Sequence, residues 1–219
     1  MAAIVLLPAG AAQARRPLAG VARAPRVRLA NAYSLPYGGG PVLHSNRTHL
    51  IFWQPAGSGL TFDAGYEAVI ETFLHNVAAA SRSTTNVYGL SGQYTDRVGP
   101  AAYVSTYGGA VTATDPLPAN GCQEPSTGPP GWSACLTDEQ LQHEIERVVR
   151  RYRMPTSSTD LYFLVTPDGL GDCEYTGSSS CALGGDVTPY CGYHSQTDDG
   201  LVLYAVIPYN AVQGHCQSG

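Results

Sequence analysis

Six cysteines, at positions 122, 135, 173, 181, 191 and 216, constrain this chain of 219 residues more than any other feature. An even set of this kind fits an oxidising compartment and a framework of covalent bridges. Cys122 and Cys135 bracket QEPSTGPPGWSA, a Pro/Gly-rich stretch with little of its own to hold one shape. Closing a loop of that size is worth ~3 kcal/mol in the chain-entropy view of a disulfide. The other four can pair in three ways, of which Cys173–Cys181 with Cys191–Cys216 is favoured. The rival is a zinc site of Cys191, His194, His215 and Cys216. Its Cys-x-x-His spacing is tolerable, but the adjacent His215 and Cys216 rarely point at one metal. No cofactor is therefore expected within the chain.

Charge separates the N-terminus from the rest. There is no Lys; five of twelve Arg (Arg15, Arg16, Arg23, Arg26, Arg28) precede residue 30, and all seventeen carboxylates follow residue 60. The body from Asn31 onward sets seven Arg against seventeen acids, a formal net of −10. Such a body repels a phosphate backbone, so nucleic acid is not an expected partner. Ala2–Ala14 is an apolar run ending in Ala12-Gln13-Ala14, the small-x-small pattern of a signal-peptidase site. It lacks the basic start of a complete leader, as a truncated one would. As a helix it spans about 20 Å, too short for a ~30 Å hydrocarbon core, so no membrane span is expected. The expected organisation is a signal peptide at 1–14, a flexible linker rich in Arg, Ala, Pro and Gly at 15–40, and one domain at 41–219.

Within that domain, Thr48–Trp53 (THLIFW) reads as a buried strand. Tyr66, Val69, Ile70, Phe73, Leu74 and Val77 recur at helical spacing, one stripe of a helix over about Asp63–Ser81. Residues 84–118 carry short Tyr/Val/Thr runs broken by Gly, expected as irregular strands or a hairpin. Thr137-Asp138-Glu139-Gln140 is a capping box opening a second helix, with Leu141, Ile145, Val148, Val149 and Tyr152 as its buried stripe. Arg147, Arg150, Arg151 and Arg153 crowd its end, where positive charge is favoured. Asp160–Thr166 and Leu201–Pro208 read as further strands. The order describes an α/β fold: a mixed sheet with two main packed helices.

Chemistry is sparse. His143-Glu144 invites a His-Glu-x-x-His reading, but position 147 is Arg where the second imidazole is needed, and a solvated face with Glu144 or Glu146 paired to Arg147–Arg151 is the expectation. Asp168, Asp172, Glu174 and Asp186 cluster in a Gly-rich stretch whose spacing matches no EF-hand loop, and solvated loop acids are expected there. A Cys191–His194 nucleophile pair competes with disulfide use of Cys191. Asn46-Arg47-Thr48 is a glycosylation sequon by pattern alone.

Together, Gly38-Gly39-Gly40-Pro41-Val42-Leu43 leading into THLIFW, FLHNVA, QYTD at Gln93–Asp96, YFLVTP at Tyr162–Pro167, Cys191-Gly192-Tyr193-His194 and Ala205-Val206-Ile207-Pro208-Tyr209 resemble the Exordium-like (phosphate-induced protein) family in a bacterial version, from about residue 38 onward. The Cys122–Cys135 loop and Cys181 depart from its plant members. The resemblance implies secretion and a cell-wall or extracellular setting, with cell-wall polysaccharide or an extracellular protein as partner. It also implies a zincin-like element order lacking the metal-site helix: family members carry a His-Glu helix after the segment matched here, so zinc belongs to a full-length form and the domain is expected to be incomplete at its C-terminus. Two functions follow: a secreted, wall-associated protein with no complete catalytic site in this chain, or the N-terminal part of an extracellular metallohydrolase.

Overall fold

The computed structural model describes residues 22–23, 40–122, 132–182, 190–210 and 216. The expected leader, most of the linker, Asp186 and His215 lie outside them. The elements in chain order are β1 (Ala22–Arg23), β2 (Asn46–Trp53), α1 (Tyr66–Ala79), a 3-10 helix (Val87–Gln93), β3 (Ser105–Ala113), β4 (Ala134–Thr137), α2 (Asp138–Arg151), β5 (Asp160–Val165), β6 (Leu170–Cys173), β7 (Tyr190–Gln196) and β8 (Leu203–Ile207).

Six strands form a mixed sheet in the order β1-β7-β8-β5-β2-β3, and β4 pairs with β6 in a separate parallel ribbon. The β3, β2, β5 and β8 strands run parallel, whereas β7 is antiparallel to β8. Thr48–Trp53 is buried without a break, as a parallel strand covered on both faces must be. Its residues alternate between two cores. Ile51 and Trp53 join Tyr162, Leu164, Tyr204 and Val206 under the Leu141, Ile145, Val148 and Val149 stripe of α2. Leu50 and Phe52 join Val165 and Leu74 of α1 on the other face. The chain thus leaves β2 through α1 to β3, then crosses back through α2 to β5 on the other side of β2.

The start of α2 follows the capping box: Gln140 N donates to Thr137 Oγ1 at 3.4 Å, and Thr137 N donates to Gln140 Oε1 at 3.0 Å. Other expectations are corrected. The stretch 84–118 holds more than irregular strands or a hairpin: it contains the 3-10 helix, capped by Asn86 Oδ1, a tight turn where Thr95 bridges Pro100 antiparallel, and one nine-residue strand parallel to β2. Tyr152 leaves the α2 stripe and is 47% exposed. The α1 stripe is not a buried face: only Leu74 is buried, and Val69 and Phe73 are 70% and 51% exposed. Helical spacing identifies a stripe, but the neighbouring element decides how much of it is covered. Inside the expected flexible segment, Ala22–Arg23 pairs with the outer edge of β7, where backbone groups would otherwise lack partners.

The β2–β3 register slips between Thr48 and His49, opposite Gly108-Gly109, with Gly109 at φ +106°. The slip makes room for a ring: a Cβ on Gly108 would lie 2.3 Å from His49 Cε1. His49 is 3% exposed, stacks on Tyr162 and is fixed by Asp160 at 2.9 Å, so it has little freedom to move aside. Gly108→Ala is expected to cost about 1–3 kcal/mol through overpacking. Urea unfolding of the variant measures this; a loss under about 0.5 kcal/mol would show that the ring swings away.

Candidate functional site

The polar centre of the molecule lies where the first turn of α2 meets β6, β7 and β8. Asp138 is 7% exposed at the start of α2, and its carboxylate accepts from Tyr193 Oη at 2.7 Å, Tyr204 Oη at 2.7 Å and Gln142 Nε2 at 2.7 Å. Burial raises its pKa, against the pull of those three donors. On β6, Asp172 is 1% exposed and accepts from the Tyr190 hydroxyl through Oδ1, while its Oδ2 has no partner. Burial pushes its carboxyl up to about 7, the Tyr190 hydrogen bond opposes this, and the nearby Asp138 adds to it. Asp172 is therefore not the solvated loop acid expected from its Gly-rich surroundings.

The sulfurs lie beside this centre. They pair as Cys122–Cys135, Cys173–Cys181 and Cys191–Cys216. The first two bridges pack together under Trp132, with Cys135 Sγ 3.9 Å from Cys173 Sγ. Cys122, Cys135 and Cys173 are the one group of three metal-ligand-type atoms that converges among the described residues, and all three sulfurs are already bridged. The bridge to Cys216 takes Cys191 out of any nucleophile pair with His194, which is exposed on β7.

The remaining candidates separate. His143 is exposed, and the expected pairing occurs, Glu144 with Arg147 at 2.8 Å and Glu146 with Arg150 at 3.4 Å, but Glu144 is 1% exposed, so the face is not solvated at that residue. Burial, followed by the charge of Asp115, pushes its carboxyl up to about 7. Asp115 is in turn gripped by the two terminal guanidinium nitrogens of Arg151, at 2.7 and 2.6 Å. Asp168 is exposed and Glu174 half-buried. The sequon is tied into the sheet: Asn46 Oδ1 accepts from Ser105 Oγ at 2.7 Å, and Thr48 is buried. In QYTD, Asp96 is a loop pin. It accepts from the backbone of Val42, Val98 and Gly99 and from His44, and these donors, Val42 first, hold its carboxyl well below the usual range. Asp160 ties Arg47, His49 and Ser157 at the start of β5; burial works against its ionisation, but these donors keep it down at about 2.

The second distinctive region is a notch. Tyr107 of β3 donates to Glu71 at 2.9 Å on one flank of α1. On the other flank, Tyr66 stands 4.7 Å from the Tyr209 ring just beyond β8. Val69 and Phe73 share the Tyr66 flank by helical spacing and stay exposed. Below them, Leu161, Phe163, Leu203, Ala205 and Ile207 alternate onto the same sheet face and remain half-buried. Among the described residues, the α1 helix therefore covers β2 and β3 and leaves the β5–β8 half open.

No protein-family model, curated protein or solved structure matches the chain. Among the described residues no helix is long and apolar enough to cross a membrane.

Because the folded-state pKa of Asp172 lies above its ordinary value of 3.8, folded molecules keep a proton that unfolded ones release. Its contribution is present below about pH 4 and is lost as pH rises towards about 7. Asp172→Asn is expected to flatten this part of the profile, on the order of 2 kcal/mol between pH 5 and 8. Urea unfolding at both pH values tests it; equal slopes in both proteins would show that Asp172 is ionised throughout.

Proposed function

We propose that this chain is the sheet-bearing half of a secreted, cell-wall-associated protein of the Exordium-like family, built on the zincin plan, whose metal-binding helix packs into the notch beside α1. The open β5–β8 half of the sheet carries this reading. Its half-buried residues and the bare Val69/Phe73 flank form an apolar corner of the kind a helix fills. Four neighbouring parallel strands, β3-β2-β5-β8, followed by the antiparallel β7, support the same plan. Three bridges support the extracellular setting, in line with the apolar leader and acidic body.

Zinc is not assigned to the described residues. Their one converging ligand set is sulfur already committed to bridges, so no catalytic step is written through a metal here. What this part of the protein contributes is a rigid, crosslinked sheet against which a site can be held.

A second reading, a non-catalytic module that binds wall polymer, rests on exposed aromatic residues. Tyr88 and Tyr94 are 39% and 50% exposed beside Leu90 and Val98, giving flat faces on which a sugar ring can stack. Pull-down on peptidoglycan or wall polysaccharide distinguishes the two: retention lost in Tyr94→Ala favours the module.

Two experiments test the main reading. Residues following Gly219 in the gene are expected to encode an amphipathic helix with His-Glu and a second His one turn on; a continuation without it overturns the proposal. In the 219-residue chain, Val69→Glu/Phe73→Glu is expected to change stability by under about 1 kcal/mol, since neither side chain is buried. The same change should abolish enhancement of an apolar dye. Strong destabilisation would mean that the flank is already packed.

A further inference from the structure

We propose that the paired bridges Cys122–Cys135 and Cys173–Cys181 form one thiol–disulfide exchange site, which accepts two electrons from an extracellular dithiol and settles with Cys135 joined to Cys173. This does not rest on the metallohydrolase reading.

The geometry orders the four sulfurs. Cys122 is 8% exposed, against 1% for Cys135, 1% for Cys173 and 2% for Cys181, so an incoming thiolate meets Cys122 first. Attack there forms a mixed disulfide with Cys122 and expels Cys135 as a thiolate. That sulfur already lies 3.9 Å from Cys173 Sγ. Its attack forms Cys135–Cys173, breaks Cys173–Cys181 and sends the electron pair to Cys181, which takes a proton. The second thiol of the dithiol then attacks the mixed disulfide, leaves as a closed disulfide and frees Cys122. One dithiol is oxidised, and two bridges become one bridge and two thiols.

One observation sets the cost of this end state and one favours it. The β4 and β6 strands pair in parallel with Cys135 opposite Gly171 and Thr137 opposite Cys173. Cys135 and Cys173 therefore stand two positions apart on one face of the ribbon, a diagonal of about 7–8 Å that must shorten as their bridge draws the neighbouring strands together. The two sulfurs that become thiols also have acceptors in place: Cys122 Sγ lies 3.2 Å from Leu136 O, and Cys181 Sγ lies 3.4 Å from Ser178 O. A buried S–H formed at either position has a partner without rearrangement.

The test is limited reduction of the folded protein with less than one equivalent of dithiothreitol, followed by acid quenching, maleimide labelling, peptic digestion at low pH and mass spectrometry. The two-thiol species is expected to carry label on Cys122 and Cys181, with a Cys135–Cys173 linked peptide. Label on Cys122 with Cys135, or on Cys173 with Cys181, and no such linked peptide, overturns the proposal. Independently, C122S/C181S is expected to fold with Cys135 and Cys173 bridged; two titratable thiols at these positions in a folded variant overturn it.

Discussion

The carboxylate of Asp138 is the interaction on which the architecture depends. A buried carboxylate is costly unless its acceptor sites are filled, and here Tyr193, Tyr204 and Gln142 fill them. Tyr193 comes from β7 and Tyr204 from β8, so the arrangement fixes the first turn of α2 against the antiparallel edge of the sheet. The position of α2 then determines where its apolar stripe lies, which face of β2 and β5 it closes, and where β4, immediately before it, enters the fold. Tyr190 and Asp172 repeat the device one strand away and tie β7 to β6. The Tyr side chains suit this role because each brings a large apolar ring into the core and a single donor to the acid.

How much of this was legible in the sequence varied with how local the cause was. The capping box is a contact between residues three apart, and it occurs as read, down to both hydrogen bonds. THLIFW and DLYFLV are continuous apolar runs, and parallel strands covered on both faces produce that pattern. Glu144 and Asp172 misled because their burial is decided by distant partners: Asp115 beside one, Tyr190 at the other. A Gly-rich stretch with several acids resembles a solvated loop until β4 pairs with it. The Tyr–Asp centre had one local sign, Asp138 placed at the head of a helix, but nothing near it in the chain named Tyr193 or Tyr204. The α1 stripe was visible as periodicity, and its incomplete cover was not, because cover belongs to the neighbour.

The two faces of the sheet are finished differently, and the crosslinks follow that difference. The β4–β6 ribbon has four residues per strand, too short to persist unless it is packed or tied, and two of the three bridges lie on it. Together with α2 they seal one face and hold Trp53, Tyr162 and Tyr204 completely or almost completely dry. The opposite face has no bridge within its β5–β8 half, and Phe163 and Ile207 remain half-buried there. A chain that invests its covalent bonds in the α2 side gains a stiff support, and the stiffness reaches the open face through β2 and β5, each of which contributes alternate residues to both cores. An element docking on the open side therefore meets a surface that is already set, so little further ordering of the sheet opposes its binding.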